Sequence, residues 1–354
     1  MDRRSIFVGI DLHKRVSQVT AMGETGELAS WRLQNEDLPR WEKVFKPLAR
    51  NAQVALEATG NWMWLADLLQ EMGAEVHLAH PSKVRIIAES RNKNDRVDSE
   101  ALLMLLKAGL LPEAYLASVE VRQKRQLLRL RQGLVHMRTE VKNRLHALLA
   151  QHNIHPKVTD LFGKGGRAFL ERVGLPPVSN TCRRVWLEIL DALSVQIKRV
   201  EDFLYKNLED EPQAKLLQTM PGVGKLTAYL LLAEIGPIER FSRPDKLVSY
   251  AGLCPSTRAS ADKVYYGRTG PAGREYIKWA LVEVAQTAAR CDSFFASFYT
   301  RMRHRKGNGK AIVAVARKML EIIWRMMREN RPYIPRPKAN NRVGPSAPVA
   351  GSRK

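Results

Sequence analysis

The segment Ser5 to Asp11 (Ser-Ile-Phe-Val-Gly-Ile-Asp) is almost continuously apolar and β-branched, the pattern of a central strand buried on both faces, and it ends in a carboxylate. Val16 to Met22 and Leu28 to Leu33 read as two further strands, with Gly23 and Gly26 marking the turn between them. Leu38 to Arg50 then changes to helical spacing through Leu38, Trp41, Val44, Phe45 and Leu48. Gln53 to Glu57 is a second short apolar strand that also closes on a carboxylate, and Asn61 is placed to cap a helix running to Met72. Glu75 to Ala79 reads as a fifth strand. Asp95 to Ala108 reads as a helix with Val97, Leu102, Leu105 and Leu106 on its apolar face. Three strands, a helix, then alternating strand and helix predict an α/β domain with a mixed sheet over residues 1–112.

Beyond it the period lengthens. Val119 to Gln151 predicts one long amphipathic helix in which Leu127, Leu130, Leu134, Met137 and Val141 follow a coiled-coil spacing. A second helix over Val185 to Leu208 carries Trp186, Leu190, Leu193, Ile197, Val200 and Leu204. The two form either an antiparallel hairpin or an intermolecular coiled coil, so residues 117–212 are expected to be a basic helical coiled-coil region. A mostly α-helical domain is expected over 216–330. The tail, 331–354, is rich in Pro and base with almost no apolar periodicity, and is expected to be disordered.

Composition narrows the function. The 354-residue chain holds 58 Lys and Arg against 36 Asp and Glu, a formal charge of +22. Residues 1–110 contain 15 bases and 15 acids, so the whole surplus lies beyond them. That asymmetry points to chemistry in the first part and a polyanion, by default nucleic acid, held by the rest. Apolar residues make up 45%, which excludes wholesale disorder, and no apolar run approaches a membrane span. The N-terminal residues lead straight into a strand with no leader-like apolar region, and Cys182, Cys254 and Cys291 are far apart. A reducing, cytoplasmic setting is expected.

Asp11 and Glu57 close two strands, while Asp95 and Asp98 share one face of a helix. Each acid alone reads as a solvated strand end or helix surface. Together, on a neutral domain of a basic chain, they suit Mg²⁺ or Mn²⁺, whose hard-oxygen preference matches carboxylates and whose charge serves phosphoryl transfer. Two other groups are set aside. His146, His152 and His155 lack the acids or cysteines that would complete a metal site, and Trp62 and Trp64 read as core rather than as base-stacking residues.

The motifs Gly-Ile-Asp11-Leu-His-Lys, Leu-Glu57-Ala-Thr-Gly and Lys-Asn-Asp95-Arg-Val-Asp98-Ser-Glu-Ala resemble those of DEDD-type insertion-sequence transposases of the IS one-ten family, which includes the Piv DNA invertase. The resemblance extends over roughly the first 330 residues. It implies a RuvC-like, RNase H-fold domain in which Asp11, Glu57, Asp95 and Asp98 hold the metal and act in catalysis. It also implies donor and target DNA as substrates, a bridge RNA as guide, and dimers that assemble into a tetramer.

In the C-terminal part, Pro221-Gly-Val-Gly224-Lys-Leu-Thr-Ala resembles a helix-hairpin-helix turn, whose glycines let backbone N–H groups approach a phosphate. It is not a nucleotide-triphosphate loop, because Leu226 follows Gly224-Lys225 where Ser or Thr is required. In the family a Gly-Leu-x-Pro segment precedes the nucleophilic serine by five residues, and counting from Pro255 gives Ser260. Ser256 lies close by, Tyr265 and Tyr266 are the next nucleophile candidates, and both serines also read as ordinary turn residues. Lys225, Arg258, Lys263, Arg268 and Arg274 are the expected phosphate contacts. A hydrolytic junction-resolving nuclease and a non-catalytic DNA-binding protein are the alternatives to a recombinase.

Overall fold

The computed structural model describes residues 6–87, 95–208, 210–260, 263–269 and 275–335, with side chains described for all of these but 86–87, 255–260 and 263–269. The chain divides into two compact units at Val119 and Glu120.

The first unit is built on a six-stranded sheet. Strands β1 (Ile6–Leu12), β2 (Val16–Met22) and β3 (Leu28–Gln34) form an antiparallel meander. Helix α1 (Leu38–Phe45), capped by the Asp37 side chain, leads to β4 (Ala52–Glu57), which pairs parallel with β1. Helix α2 (Met63–Glu71) connects to β5 (Glu75–Ala79), parallel to β4, and α3 (Pro81–Ile87) and α4 (Asp95–Lys107) follow. A two-residue β6 (Glu113–Ala114) closes the order β3-β2-β1-β4-β5-β6. This mixed sheet matches the sequence pattern and is consistent with a RuvC-like domain. The short β6 and α3 escape that pattern.

Alternation along β1 sorts the two faces. Val8, Ile10 and Leu12 pack with α1 and α2 through Trp41, Phe45, Leu65 and Leu69. Phe7, Ala55 and Ala79 face the other way, toward Leu102 and Leu106 of α4. Here α4 sits almost on the strand. A Cβ on Gly9 would lie 1.9 Å from the Ser99 carbonyl oxygen and 2.7 Å from the Leu103 nitrogen. The fully buried Ser99 hydroxyl donates to the Arg96 carbonyl at 2.9 Å and accepts from Thr20 at 2.8 Å, which ties α4 to β2.

The second unit is mostly helical. The long α5 (Val119–Gln151) and α7 (Pro177–Asn207) run antiparallel with α6 (Lys164–Arg172) between them. Val141, Leu145 and Leu149 of α5 meet Leu187 and Leu190 of α7 across a small core. Nearer the start of α5, Arg131 pairs with Glu201 at 2.6 Å. The spacing had proposed Leu130 and Met137 for the apolar seam, but they are 50% and 52% exposed. The buried row of α5 instead runs through Arg122, Arg125, Leu128 and Gln132. Arginine stems bury apolar surface while their guanidinium groups find partners, so a seam counted from apolar residues alone holds at Leu127 and Val141 but not at Leu130 and Met137. The second helix also begins earlier than Val185, at Pro177, where proline suits the first turn.

After α8 (Pro212–Gln218), α9 (Lys225–Ile235) and α10 (Pro244–Tyr250), strands β7 (Pro255–Ser260) and β8 (Lys263–Thr269) form a hairpin. Helices α11 (Glu275–Cys291), α12 (Ser293–Lys306) and α13 (Asn308–Glu329) complete the unit. The largest core packs α8 to α13 with Leu128 of α5 and Leu204 of α7. Glu234 of α9 is completely buried there and takes two hydrogen bonds from Arg129, at 2.6 and 2.8 Å. The Arg129 guanidinium also stacks over Tyr276 at 4.8 Å. Removing one partner of such a pair strands a buried charge, at a cost of about 3–5 kcal/mol. Among the described residues, no helix is long and apolar enough to cross a membrane.

Because the atoms opposing Gly9 are backbone, Gly9→Ala is expected to push α4 off the sheet at a cost of about 1–3 kcal/mol. Calorimetry should show a lowered melting transition for the first unit. An unchanged transition would mean that the close approach is dispensable.

Candidate functional site

Parallel pairing of β1 with β4 aligns Ile10 with Leu56, so Asp11 and Glu57 stand side by side at the carboxyl ends of neighbouring strands. Such strand ends are where open α/β sheets place their ligands. Both acids belong to the face covered by α4, and α4 begins there with Asp95 and Asp98 in its first turn. The close fit at Gly9 and Ser99 therefore holds the helical acids over the strand acids.

The electrostatics record this convergence. Asp11 is only 9% exposed. Burial pushes its carboxyl above the ordinary carboxylate range, and the nearby Asp98 and Asp95 add to the rise, against a lowering by His13. Glu57 is likewise raised, first by burial and then by Asp11 and Asp98. Among the described residues, no Lys or Arg forms an ion pair with any of the four acids. Such crowded carboxylates form a donor set that fits a divalent metal ion.

His13 is the residue that sequence reasoning quoted in a motif and gave no role. Its Nε2 lies 3.1 Å from Asp11 Oδ2 and 3.3 Å from Asp95 Oδ1, so Asp11, His13 and Asp95 could share one ion. Its backbone is pinned as well. The His13 carbonyl accepts from Asn35 Nδ2 at 2.8 Å and from Asn61 Nδ2 at 3.0 Å. Asn35 in turn accepts from the buried Ser17 hydroxyl at 2.6 Å. The loops after β1, β3 and β4 are thus tied at one carbonyl. Asn61 was expected to cap α2, but Trp62 occupies the cap position without a side-chain bond, and the Asn61 amide serves the His13 carbonyl instead. The only advance signal was its place four residues after Glu57.

The other expected site residues lie in the second unit. Ser260 is the last residue of β7 and pairs across the hairpin with Lys263, while Ser256 falls where the register shifts between Pro255 and Thr257. Both serines therefore sit on a strand and not in a turn. Arg258 is on β7, and Arg268, Tyr265 and Tyr266 are on β8. Their side chains, and Arg274 entirely, lie outside the described residues. Lys225 opens α9, where Gly224 provides no side-chain cap. Its ammonium lies 3.8 Å from Asp210 and 6.0 Å from the Tyr205 ring centroid. Gly222, at φ +84°, turns the chain where a Cβ would press on Val284 and Thr287. Of the residues set aside, Trp62 and Trp64 pack against the first core. His152 bonds Ser179, and His155 bonds Asn153.

Comparison with known proteins agrees with this layout. Residues 8–154 match the family model of the IS110-type DEDD transposase, and residues 214–300 match that of the transposase IS116/IS110/IS902 family. A transposase for insertion sequence element IS1111A from Coxiella burnetii is 25% identical over 350 residues, covering 92% of this chain and 91% of its own. A pilin gene-inverting protein from Moraxella bovis is 25% identical over 336 residues, covering 92% and 97%. A transposase for insertion sequence element IS1328 from Yersinia enterocolitica is 24% identical over 334 residues, covering 90% and 95%.

Raised acids favour the folded state when protonated. Their stabilising contribution is present below the ordinary carboxylate range and is lost as pH rises through the raised values. In chelator at about pH 7, Asp11→Asn is therefore expected to melt a few degrees above the wild type, with the gap closing toward about pH 4. Mg²⁺ or Mn²⁺ should raise the wild-type melting temperature and leave the variant unmoved. Equal metal responses in a thermal-shift titration would remove Asp11 from the ligand set.

Proposed function

The chain belongs to the IS116/IS110/IS902 transposase family, whose members cleave and rejoin DNA, and we propose that it is a recombinase using Asp11, Glu57, Asp95 and Asp98 as metal ligands and Ser260 as nucleophile. The observation that carries the reading is the convergence of four acids without a Lys or Arg ion-pair partner among the described residues, on an otherwise strongly basic chain. A divalent cation, Mg²⁺ or Mn²⁺, would there neutralise phosphate charge and polarise the reacting oxygens.

The protein's own groups have distinct tasks. Asp11 and Glu57 are fixed by the sheet, Asp95 and Asp98 by the seating of α4, and His13 orients Asp11 and Asp95 through its Nε2. Lys225, Arg258, Lys263, Arg268 and Arg274 hold DNA phosphates. The turn at Pro221–Gly224, read as a helix-hairpin-helix element, presents backbone N–H groups to another phosphate. In the chemical step the Ser260 oxygen bonds to a DNA phosphorus as the bond to the departing strand breaks. The hydroxyl gives up its proton, and the departing oxygen takes one. A phosphoserine linkage preserves the energy of the broken bond, so a new strand end can reverse the step without a nucleotide cofactor. A bridge RNA as guide, and a dimer that assembles into a tetramer around the DNA ends, complete the proposal.

Ser260→Ala is expected to abolish an SDS-resistant protein–DNA adduct and recombination, while Ser256→Ala retains both. Full recombination by Ser260→Ala would instead favour a hydrolytic nuclease. Sequencing of RNA that co-purifies with the protein, expressed beside its native flanking DNA, tests the guide. One discrete RNA with loops complementary to the element's ends and insertion site is expected, and random host RNA would reject it.

A further inference from the structure

Helix α12 is anchored at one end and free at the other. Asp292, 5% exposed, caps its start by accepting from the backbone N–H groups of Phe294 and Phe295, both at 3.0 Å. The second oxygen of Asp292 accepts from the Tyr333 hydroxyl at 3.0 Å, and the Tyr333 ring stacks on the fully buried Phe295. Phe298 and Tyr299 also pack against the core. Core contacts then stop at Tyr299 and resume at Ile312 of α13. Every residue from Arg303 to Lys310 is exposed, so the end of α12 and the start of α13 form a corner outside the core. The corner is nonetheless fixed. Gly307, at φ +77°, joins the two helices through a single residue, a backbone conformation that glycine adopts freely. Its N–H donates to the Arg303 carbonyl at 2.9 Å, and its carbonyl accepts from the Ala311 N–H at 3.1 Å.

The charge on this corner has one sign. From Ser293 to Leu320 the chain carries seven Lys and Arg and no Asp or Glu. Arg317 and Lys318 pair with Glu321, and the Arg301 guanidinium lies 5.4 Å from the Phe298 ring centroid. Arg303, Arg305, Lys306 and Lys310 remain, and none of them has an acidic partner among the described residues. One cation in the last turn would complement the dipole of α12. Four exceed that need, and like charges three or four residues apart, as at Arg301–Arg305 and Arg303–Lys306, oppose a helix. Elsewhere in this unit such repulsion is relieved by acids, as at Arg131–Glu201 and Arg317–Glu321. At the corner the relieving anion has to come from outside the chain. Residues 300–310 contain no Phe, Tyr or Trp, so unpaired bases find nothing there to stack on. Closely spaced duplex phosphates meet the requirement by charge alone.

We propose that the α12–α13 corner is a grip for duplex DNA, in which Arg303, Arg305, Lys306 and Lys310 hold backbone phosphates. It is a set of contacts additional to those assigned to Lys225 and the β7–β8 hairpin, and it rests on the reading of the chain as a DNA recombinase. Contacts of this kind position a duplex without reading its sequence.

Anisotropy titration of a labelled duplex by the full-length protein, over a range of salt concentrations, tests the grip. Arg303→Gln, Arg305→Gln, Lys306→Gln and Lys310→Gln together retain good helix formers. They are expected to weaken binding at least about tenfold and to flatten the log–log salt dependence by about three to four, near 0.9 per lost phosphate contact. The melting temperature should hold or rise, because repulsion within the corner is relieved. Arg303→Gln with Lys306→Gln alone should flatten the slope by about two, which keeps the test open if the fourfold variant folds poorly. A comparison variant, Arg40→Gln, Lys43→Gln, Lys46→Gln and Arg50→Gln, removes the same charge from exposed positions of the first unit and is expected to keep the wild-type slope within about one. Equal losses from the two fourfold variants, or an unchanged slope in the first, would overturn the grip and leave the DNA reading standing. Loss confined to a duplex RNA of the same length would do the same. Failure of the intact chain to bind duplex DNA would overturn the reading on which the grip rests.

Discussion

A carboxylate at the end of a buried strand is costly unless something compensates it, and the first unit is organised around that cost at Asp11. Its strand is apolar because it is central, so Asp11 and its neighbour Glu57 lose water that no Lys or Arg ion pair replaces among the described residues. Placing α4 over the same strand end brings two further acids into the field. Repulsion among acids is thereby concentrated in one small region, as a donor set that fits a divalent cation. Small residues make the arrangement possible. Gly9 allows helix and strand to touch, and the Thr20–Ser99 hydroxyl pair fixes where along the strand they do so.

The second unit solves a different problem, how to carry a large surplus of positive charge and still fold. Part of the surplus is turned inward. Arg125 donates to the Ala233 carbonyl, Arg129 to Glu234, and Arg183 to the carbonyls at the end of α6. The remainder stays outside, as in the last turn of α12, where Arg303, His304, Arg305 and Lys306 follow one another. Structural arginines cannot be separated from phosphate-binding ones by counting charges.

The strands of the mixed sheet, and the places of the four acids on strand ends and a helix, were legible because they rest on patterns that survive in one dimension. β1 reads as a strand from its apolar run, and Asp11 stands out because it ends that run. What was hidden depends on contacts between segments far apart in sequence. The α5 seam was misjudged at Leu130 and Met137, because Arg122 and Arg125 are buried where apolar residues were sought. Asn61 looked like a cap because capping is local, whereas its true partner is the carbonyl of His13, 48 residues earlier. Ser256 and Ser260 could also be read as turn residues because serine favours turns, and the pairing of Ser260 with Lys263 appears only once both strands are laid side by side.

The buried pair of Arg129 and Glu234 bears on how such a protein can be taken apart or rearranged. One partner lies on the long basic helix, the other on α9, 105 residues later. A fragment ending between them would expose a helix whose arginines had lost their receptors, and one beginning after them would enclose a lone carboxylate in an apolar core. The basic helix and the C-terminal helices are therefore heritable only as a set. An exchange of segments between relatives that divides them must carry both halves of the pair or neither.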